Sequence, residues 1–95
     1  MAAIDDLTVA YEEEGIETVK ELDKKILSKG AWATVMFKSQ EWDKAKQIYG
    51  APKFAIRRYQ KRNDVYLLKS KFTISSVDQA QKIIETLVDW MKASS

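Results

Sequence analysis

The chain is 95 residues long, and its 45% hydrophobic and 32% charged residues are typical of one small globular domain. It has no cysteine and no histidine, which excludes disulfides, Cys-based zinc sites and Ser-His or Cys-His nucleophiles. We therefore expect that the protein is not an enzyme and that it has neither a cofactor nor a metal site. Because no apolar run approaches the roughly 20 residues of a membrane span and the first residues lack signal-peptide character, we expect a cytoplasmic, nucleoid-associated or (in a eukaryote) nuclear protein that is not secreted.

The formal net charge of +2 conceals an asymmetry between the two halves of the chain. Residues 1–43 carry ten acidic and five basic residues, whereas residues 44–95 carry eleven basic and four acidic residues. Within 44–71, nine basic residues are opposed only by Asp64. Such a split indicates an acidic tail and a basic surface for an anionic partner, with ordinary solvated charge as the alternative.

The N-terminal part of the chain gives the weakest structural signals. Residues 1–16 are acidic and poorly patterned, so we expect a flexible or loosely docked N-terminal tail. Residues 17–28 fit two interpretations. Val19, Leu22 and Ile26 have helical spacing, but the same lysine-rich segment suits an edge strand that resists aggregation, and we favour the strand.

β-Branched and aromatic residues predict three further strands, at 31–37, 53–60 and 65–74. The polar connection 38–50 can be interpreted as two strand extensions with a turn between them. Asn63 and Asp64 predict a tight turn between the last two strands.

One amphipathic helix is predicted at the C-terminus. Ser75 or Ser76 caps it, and it runs from Val77 to about Lys92 with its apolar residues at a 3.6-residue period. Consecutive strands followed by a helix predict an α+β fold, an antiparallel sheet with one helix on one face. We expect residues 17–95 to form a single binding domain.

The alternation of side chains along the last two strands predicts one apolar and one basic face. The apolar face of the first strand carries Phe54 and Ile56 and needs the helix as cover. The basic face of that strand carries Lys53, Ala55, Arg57, Tyr59 and Lys61, and that of the next strand carries Val65, Leu67, Lys69, Lys71 and Thr73.

A β surface with lysine, arginine and interleaved aromatic residues is suited to single-stranded nucleic acid, because cations follow the phosphates and rings stack on bases. The candidate binding residues are Arg57, Tyr59, Lys69, Lys71, Lys53, Lys61 and Trp32. Trp32 is alternatively a core residue, and Tyr59 fits either role. A protein-interaction module whose basic sheet binds an acidic protein segment is the alternative function.

The segments Lys53–Tyr59 and Lys69–Ser75, followed by the helix, resemble the transcriptional positive cofactor four family of single-stranded DNA-binding coactivators. The resemblance implies a curved four-stranded sheet followed by one helix (ββββα). It implies a homodimer that packs through the helices, here through Ile84, Leu87, Val88, Trp90 and Met91. It also implies a groove containing Arg57, Tyr59, Lys69 and Lys71, with Lys38 at its lip. The longer connection 38–50 and the pair Gln60-Lys61 in place of an aromatic depart from the family pattern.

From the residues and the resemblance together we expect a protein that binds single-stranded or unwound DNA with little sequence preference. It would act as a cofactor in transcription, replication or repair, in contact with that machinery and not with membranes. Electrostatic capture combined with stacking makes the expected binding sensitive to salt.

Overall fold

The computed structural model describes residues 4–93, which form one sheet and one long helix after a short 3-10 turn at Ile4–Asp6. The elements are β1 (Tyr11–Glu13), β2 (Ile16–Ser28), β3 (Trp32–Asp43), β4 (Ile48–Tyr49), β5 (Lys53–Arg62), β6 (Val65–Ile74) and α1 (Val77–Ala93). All strands pair antiparallel in the order β1-β2-β3-β5-β6, and β4 pairs with the end of β3.

The α+β architecture, an antiparallel sheet followed by a C-terminal helix, is confirmed, but the predicted count of four strands is wrong. Within the connection 38–50, β3 continues to Asp43 and turns back into β4, as the interpretation with two strand extensions proposed. The sixth strand is β1, which pairs with the start of β2. Both additional strands are three residues or shorter and pair only with a strand next to them in the chain.

Two-residue turns join β1 to β2 and β5 to β6. Glu14 and Gly15 both have positive φ, as do Asn63 and Asp64. This is the conformation of type I′ turns, whose twist matches that of the flanking strands. The predicted Asn63-Asp64 turn is confirmed, and the Glu-Gly pair is a second signal of the same kind.

Residues 16–28 form a strand, not a helix, and their helical spacing has a different cause. Val19 and Ile26 both pack against the core although they are seven residues apart, an odd number that would place them on opposite faces of a regular strand. The pairing with β3 shifts at Leu22 and again at Leu27. The bulge at Leu22 reverses the alternation between Val19 and Ile26 and brings both to one face.

The main buried cluster lies on one face of the sheet, which we call the core face, while Ile74 is buried on the opposite side beside Phe54. The main cluster is formed by Ala33, Val35 and Phe37 of β3 together with Tyr59 of β5. The opposite side, which we call the outer face, carries the residues that alternate with these along each strand, for example Met36 of β3 and its partner Ile56 of β5.

The N-terminal segment, residues 4–10, covers the core face. Leu7 and Val9 are buried in the same cluster as Val35, Phe37 and Tyr59. Burial of each apolar side chain contributes about 1.5–3 kcal/mol. Residues 7 and 9 are therefore part of the fold and do not behave as the expected flexible or loosely docked tail.

The helix α1 leaves most of the sheet uncovered. Within α1 only Ala80 and Ile83 are half-buried, and the remaining described residues are exposed. The radius of gyration is 15.5 Å, compared with about 12 Å for a compact domain of this length. The prediction that α1 covers the apolar face of β5 is therefore wrong for the single chain, since Phe54 and Ile56 are only half-buried on the outer face.

Candidate nucleic-acid interface

The basic residues of β5 alternate as the sequence predicts. Lys53, Arg57 and Lys61 share the core face with Ala55 and Tyr59. Lys53 pairs with Ser39 of β3 and Arg57 pairs with Val35. Lys61 lies two positions after Tyr59 and pairs with Tyr66 of β6. Lys53 is bound to Glu41 with its Nζ 3.2 Å from Oε1. The Nζ of Lys61 lies 5.8 Å from the ring centre of Tyr66.

The predicted basic face of β6 is interrupted by a bulge at Lys69. Lys71 lies opposite Arg57 and Ser70 opposite Arg58, but Leu68 lies opposite Tyr59, so that Lys69 has no partner on β5. An extra residue reverses the alternation beyond it. Lys71 and Thr73 therefore lie on the same face as Arg57, as predicted, whereas Tyr66 and Leu68 take the places predicted for Val65 and Leu67 on that face.

Tyr59 is a core residue in this structure. Only 4% of its surface is exposed, and it belongs to the cluster that contains Leu7, Val9, Val35 and Phe37. A base cannot stack on a ring that other side chains cover. The burial therefore favours the packing role that the sequence left open and contradicts a stacking role for Tyr59.

Arg57 lies at the margin of the same core. It is half-buried, and its guanidinium carbon lies 6.0 Å from the ring centre of Phe37. Its Nε is buried and has no hydrogen-bond partner among the described residues. The partly exposed guanidinium thus lies beside the core, with no acidic partner in the described part of the chain.

Polar contacts fix the N-terminal segment to β2. The Nζ of Lys24 donates to the carbonyl oxygens of Asp5 and Leu7 at 2.8 and 2.7 Å. The Thr8 hydroxyl donates to Oε1 of Glu21 at 2.6 Å. Since Lys24 lies opposite Phe37, these bonds hold the segment directly over the core face.

The outer face presents a different pair of side chains. Trp32 is 41% exposed, and the guanidinium carbon of the exposed Arg58 lies 4.6 Å from its ring centre. The sequence left open whether Trp32 belongs to the core or to the binding surface. Its exposure shows that it is not a core residue. Lys38 is exposed on the same outer face, opposite Phe54 of β5 and Asp23 of β2, and so lies on the other side of the sheet from Arg57.

Most cations of β5 and β6 have no acidic partner. Within residues 4–93, Lys53 is the member of these strands that forms an ion pair. The basic residues of the two strands without one are Arg57, Arg58, Lys61, Arg62, Lys69 and Lys71. Their charge is open to an anionic partner on both faces of the sheet.

The hairpin of β3 and β4 contains an aromatic cluster. The rings of Trp42 and Tyr49 meet edge to face with centres 5.1 Å apart, and Lys20 lies 5.1 Å from the Tyr49 ring centre. The Tyr49 hydroxyl donates to the Glu17 carbonyl at 2.7 Å. These contacts attach the hairpin to β2, and Trp42 is half-buried within them.

The helix residues predicted to form the dimer interface are all exposed in the single chain. They are Ile84, Leu87, Val88, Trp90 and Met91. The apolar patch of the outer face is also open, since Phe72 is 51% exposed beside Ile56. Exposed apolar surfaces of this kind are typical of interaction sites.

A search against family models, curated proteins and solved structures found no match to this chain. In the part that the structure describes, no helix is both long and apolar enough to cross a membrane. The same residues contain no group of three or more acidic side chains that could hold a metal ion.

Proposed function

We propose that the chain binds single-stranded or unwound DNA through β5 and β6, with little sequence preference, as a cofactor of transcription, replication or repair. The observation that carries the proposal is the set of six cations on these strands that have no acidic partner within residues 4–93. Solvated charge on an ordinary surface is interspersed with the opposite sign. Here the single acid between residues 44 and 71 is Asp64, at the turn.

The antiparallel sheet gives these cations a spacing suited to a polynucleotide. Neighbouring strands lie about 4.8 Å apart, and residues on one face of a strand repeat about every 6.8 Å. Arg57 and Lys61 are four positions apart on one face, and Lys71 lies across from Arg57. A flexible single strand can adjust its phosphates to such a row, whereas a rigid duplex offers fixed grooves.

We further propose that the protein is a homodimer of the positive cofactor four type, assembled through α1. The exposed stripe of α1 and the exposed Phe72 support this proposal, because burial against a second copy would remove both from water. A chain of this size gains core from such an assembly.

Fluorescence anisotropy with a labelled single-stranded oligonucleotide tests the binding proposal. The variant Lys61→Ala/Lys69→Ala/Lys71→Ala removes three exposed cations. If each contacts a phosphate, the slope of log affinity against log salt falls by about 2, since a single strand contributes about 0.7 per contact.

Lys82→Ala is the matched control, because Lys82 is an exposed lysine on α1 whose partner is Asp78. It leaves the salt slope unchanged under the proposal. If only net charge mattered, Lys82→Ala, which removes one charge, would lose about one third as much as the variant that removes three, and this result would contradict a site on β5 and β6. Stronger competition by an acidic peptide than by the oligonucleotide would favour the protein-interaction function.

A further inference from the structure

Trp32 and Arg58 form a stacked pair on the outer face, away from the core. Trp32 is the first residue of β3 and pairs with Gln60 of β5. Arg58 precedes Gln60 by two positions and pairs with Thr34, so it is the diagonal neighbour of Trp32 on the same face. The distance of 4.6 Å between the guanidinium carbon and the ring centre is that of direct cation–π contact. Both residues are exposed, so the pair is accessible to a ligand.

Three uncharged polar residues lie beside the pair. Gln60 lies opposite Trp32, and Thr34 and Ser70 lie on either side of Arg58. None of the described acidic side chains pairs with Arg58, whose recorded contact is the Trp32 ring. Amide and hydroxyl groups beside a flat cationic surface can hydrogen-bond the edge of a heterocyclic base.

The pair is remote from the helix that we propose as the dimer interface. The helix follows Ile74, which pairs with Phe54 at the far end of β5, six positions from Gln60. At about 3.4 Å per residue this separation is roughly 20 Å. A partner copy that covers α1 and Phe72 therefore lies toward the Ile74 end of the outer face, and Trp32 lies at the opposite end.

We propose that Trp32 and Arg58 form a stacking site for one unpaired base of a bound nucleic-acid strand. The inference rests on the proposed function and specifies its ligand, because a guanidinium plane stacks on aromatic rings and an unpaired base offers such a ring. An acidic peptide or a sulfated polysaccharide supplies negative charge but no base. In duplex DNA both faces of each base are already stacked, so the site selects unpaired nucleotides.

The test compares a thymidine oligonucleotide with an oligomer of equal length that has the same sugars and phosphates but no bases. The wild-type protein binds the base-containing oligomer more tightly. Trp32→Ala weakens binding to that oligomer by at least about fivefold, the lower end for one stacked base, and leaves binding to the abasic oligomer unchanged. Trp32→Phe retains part of the preference because a smaller ring remains.

Two further variants separate stacking from charge and from general surface effects. Arg58→Lys keeps the positive charge but removes the planar guanidinium. It therefore leaves the slope of log affinity against log salt unchanged and reduces the preference for the base-containing oligomer. Tyr11→Ala removes an exposed aromatic ring from β1, away from the pair, and has no effect on the preference. Circular dichroism confirms that each variant is folded.

An unchanged base preference in Trp32→Ala overturns the stacking site, while the proposed function stands if Lys61→Ala/Lys69→Ala/Lys71→Ala still weakens binding. Equal affinity of the wild type for both oligomers also overturns it and leaves a purely electrostatic surface. Absence of binding to either oligomer at low salt overturns both proposals.

Discussion

Arg57 of β5 and Lys71 of β6 are direct cross-strand partners on the core face of the sheet. No acidic side chain among residues 4–93 pairs with either of them. Like charges placed opposite each other destabilise a sheet by a few tenths to about 1 kcal/mol. A bound phosphate between the two cations would remove this repulsion, so the pair links the stability of the sheet to its proposed ligand.

Replacement of Lys71 by threonine therefore has opposite effects on stability and binding. Lys71→Thr removes the repulsion and introduces a good strand former, which raises the free energy of unfolding by about 0.2–1 kcal/mol. It lowers affinity for a single-stranded oligonucleotide. Thermal denaturation and anisotropy measure the two effects on the same sample.

Lys69→Thr is the matched control for that experiment. Lys69 is the extra residue of the bulge and has no cross-strand partner on β5. Its replacement weakens binding but relieves no repulsion. If Lys69→Thr stabilised the sheet as much as Lys71→Thr, the repulsion between Arg57 and Lys71 would not be the cause.

The burial of Tyr59 predicts a structural role for its ring. Tyr59→Ala creates a cavity beside Phe37 and Val35 and lowers the free energy of unfolding by about 3–5 kcal/mol. Tyr59→Phe keeps the ring and leaves both stability and oligonucleotide affinity close to wild type. Urea denaturation distinguishes the variants, and a stable Tyr59→Ala protein with lost binding would restore Tyr59 as a surface residue.

The N-terminal segment is expected to stabilise the domain. Leu7→Ala removes a buried side chain at the edge of the core and costs about 2 kcal/mol or more in unfolding free energy. Asp5→Ala is the control, because the Asp5 side chain is exposed and Lys24 binds only its backbone carbonyl. Identical denaturation midpoints for Leu7→Ala and wild type would show that residues 4–10 do not dock on the sheet in solution.

The exposed stripe of α1 predicts self-association. Light scattering gives the mass of two chains for the wild type and of one chain for Leu87→Glu, since a buried carboxylate without a partner is costly. The dimer also has a melting temperature that rises with protein concentration. Glu85→Gln, an exposed change on the same helix, keeps the dimer. A wild-type mass of one chain at high concentration would contradict the proposed interface.

The sequence predicts the helix, the last two strands and the turn at Asn63 and Asp64, because each has a local cause. Helical periodicity, β-branched residues and turn-forming residues act within a few positions of one another. The alternation along β5 also places Lys53, Arg57 and Lys61 on one face as observed.

Bulges account for the part of the site that the sequence does not predict. A single extra residue at Lys69 exchanges the faces of Leu67 and Leu68, and its position depends on pairing with another strand. The docking of Leu7 and Val9 is likewise a contact between distant segments. The i, i+2 spacing of Leu7 and Val9 is the one local signal that both side chains share a face, and it lies within a segment rich in acidic residues.

The choice of the core face depends on tertiary packing. Phe54 and Ile56 look like core residues and Arg57 and Tyr59 like surface residues, but the N-terminal segment covers the side that contains Tyr59. In a single chain Phe54 and Ile56 are half-buried and Phe72 is exposed on the other side. Alternation shows which residues share a face, but it does not show which face is covered.

The most direct test of the central claim is a titration of a labelled single strand of about 20 nucleotides, beside the matching duplex, at about 50 and 200 mM salt. We predict tight binding to the single strand at low salt, weaker binding to the duplex and a steep loss of affinity as salt rises. Absence of single-strand binding at low salt, or equal binding of strand and duplex, would contradict the claim and leave the basic sheet as a surface for another anionic partner.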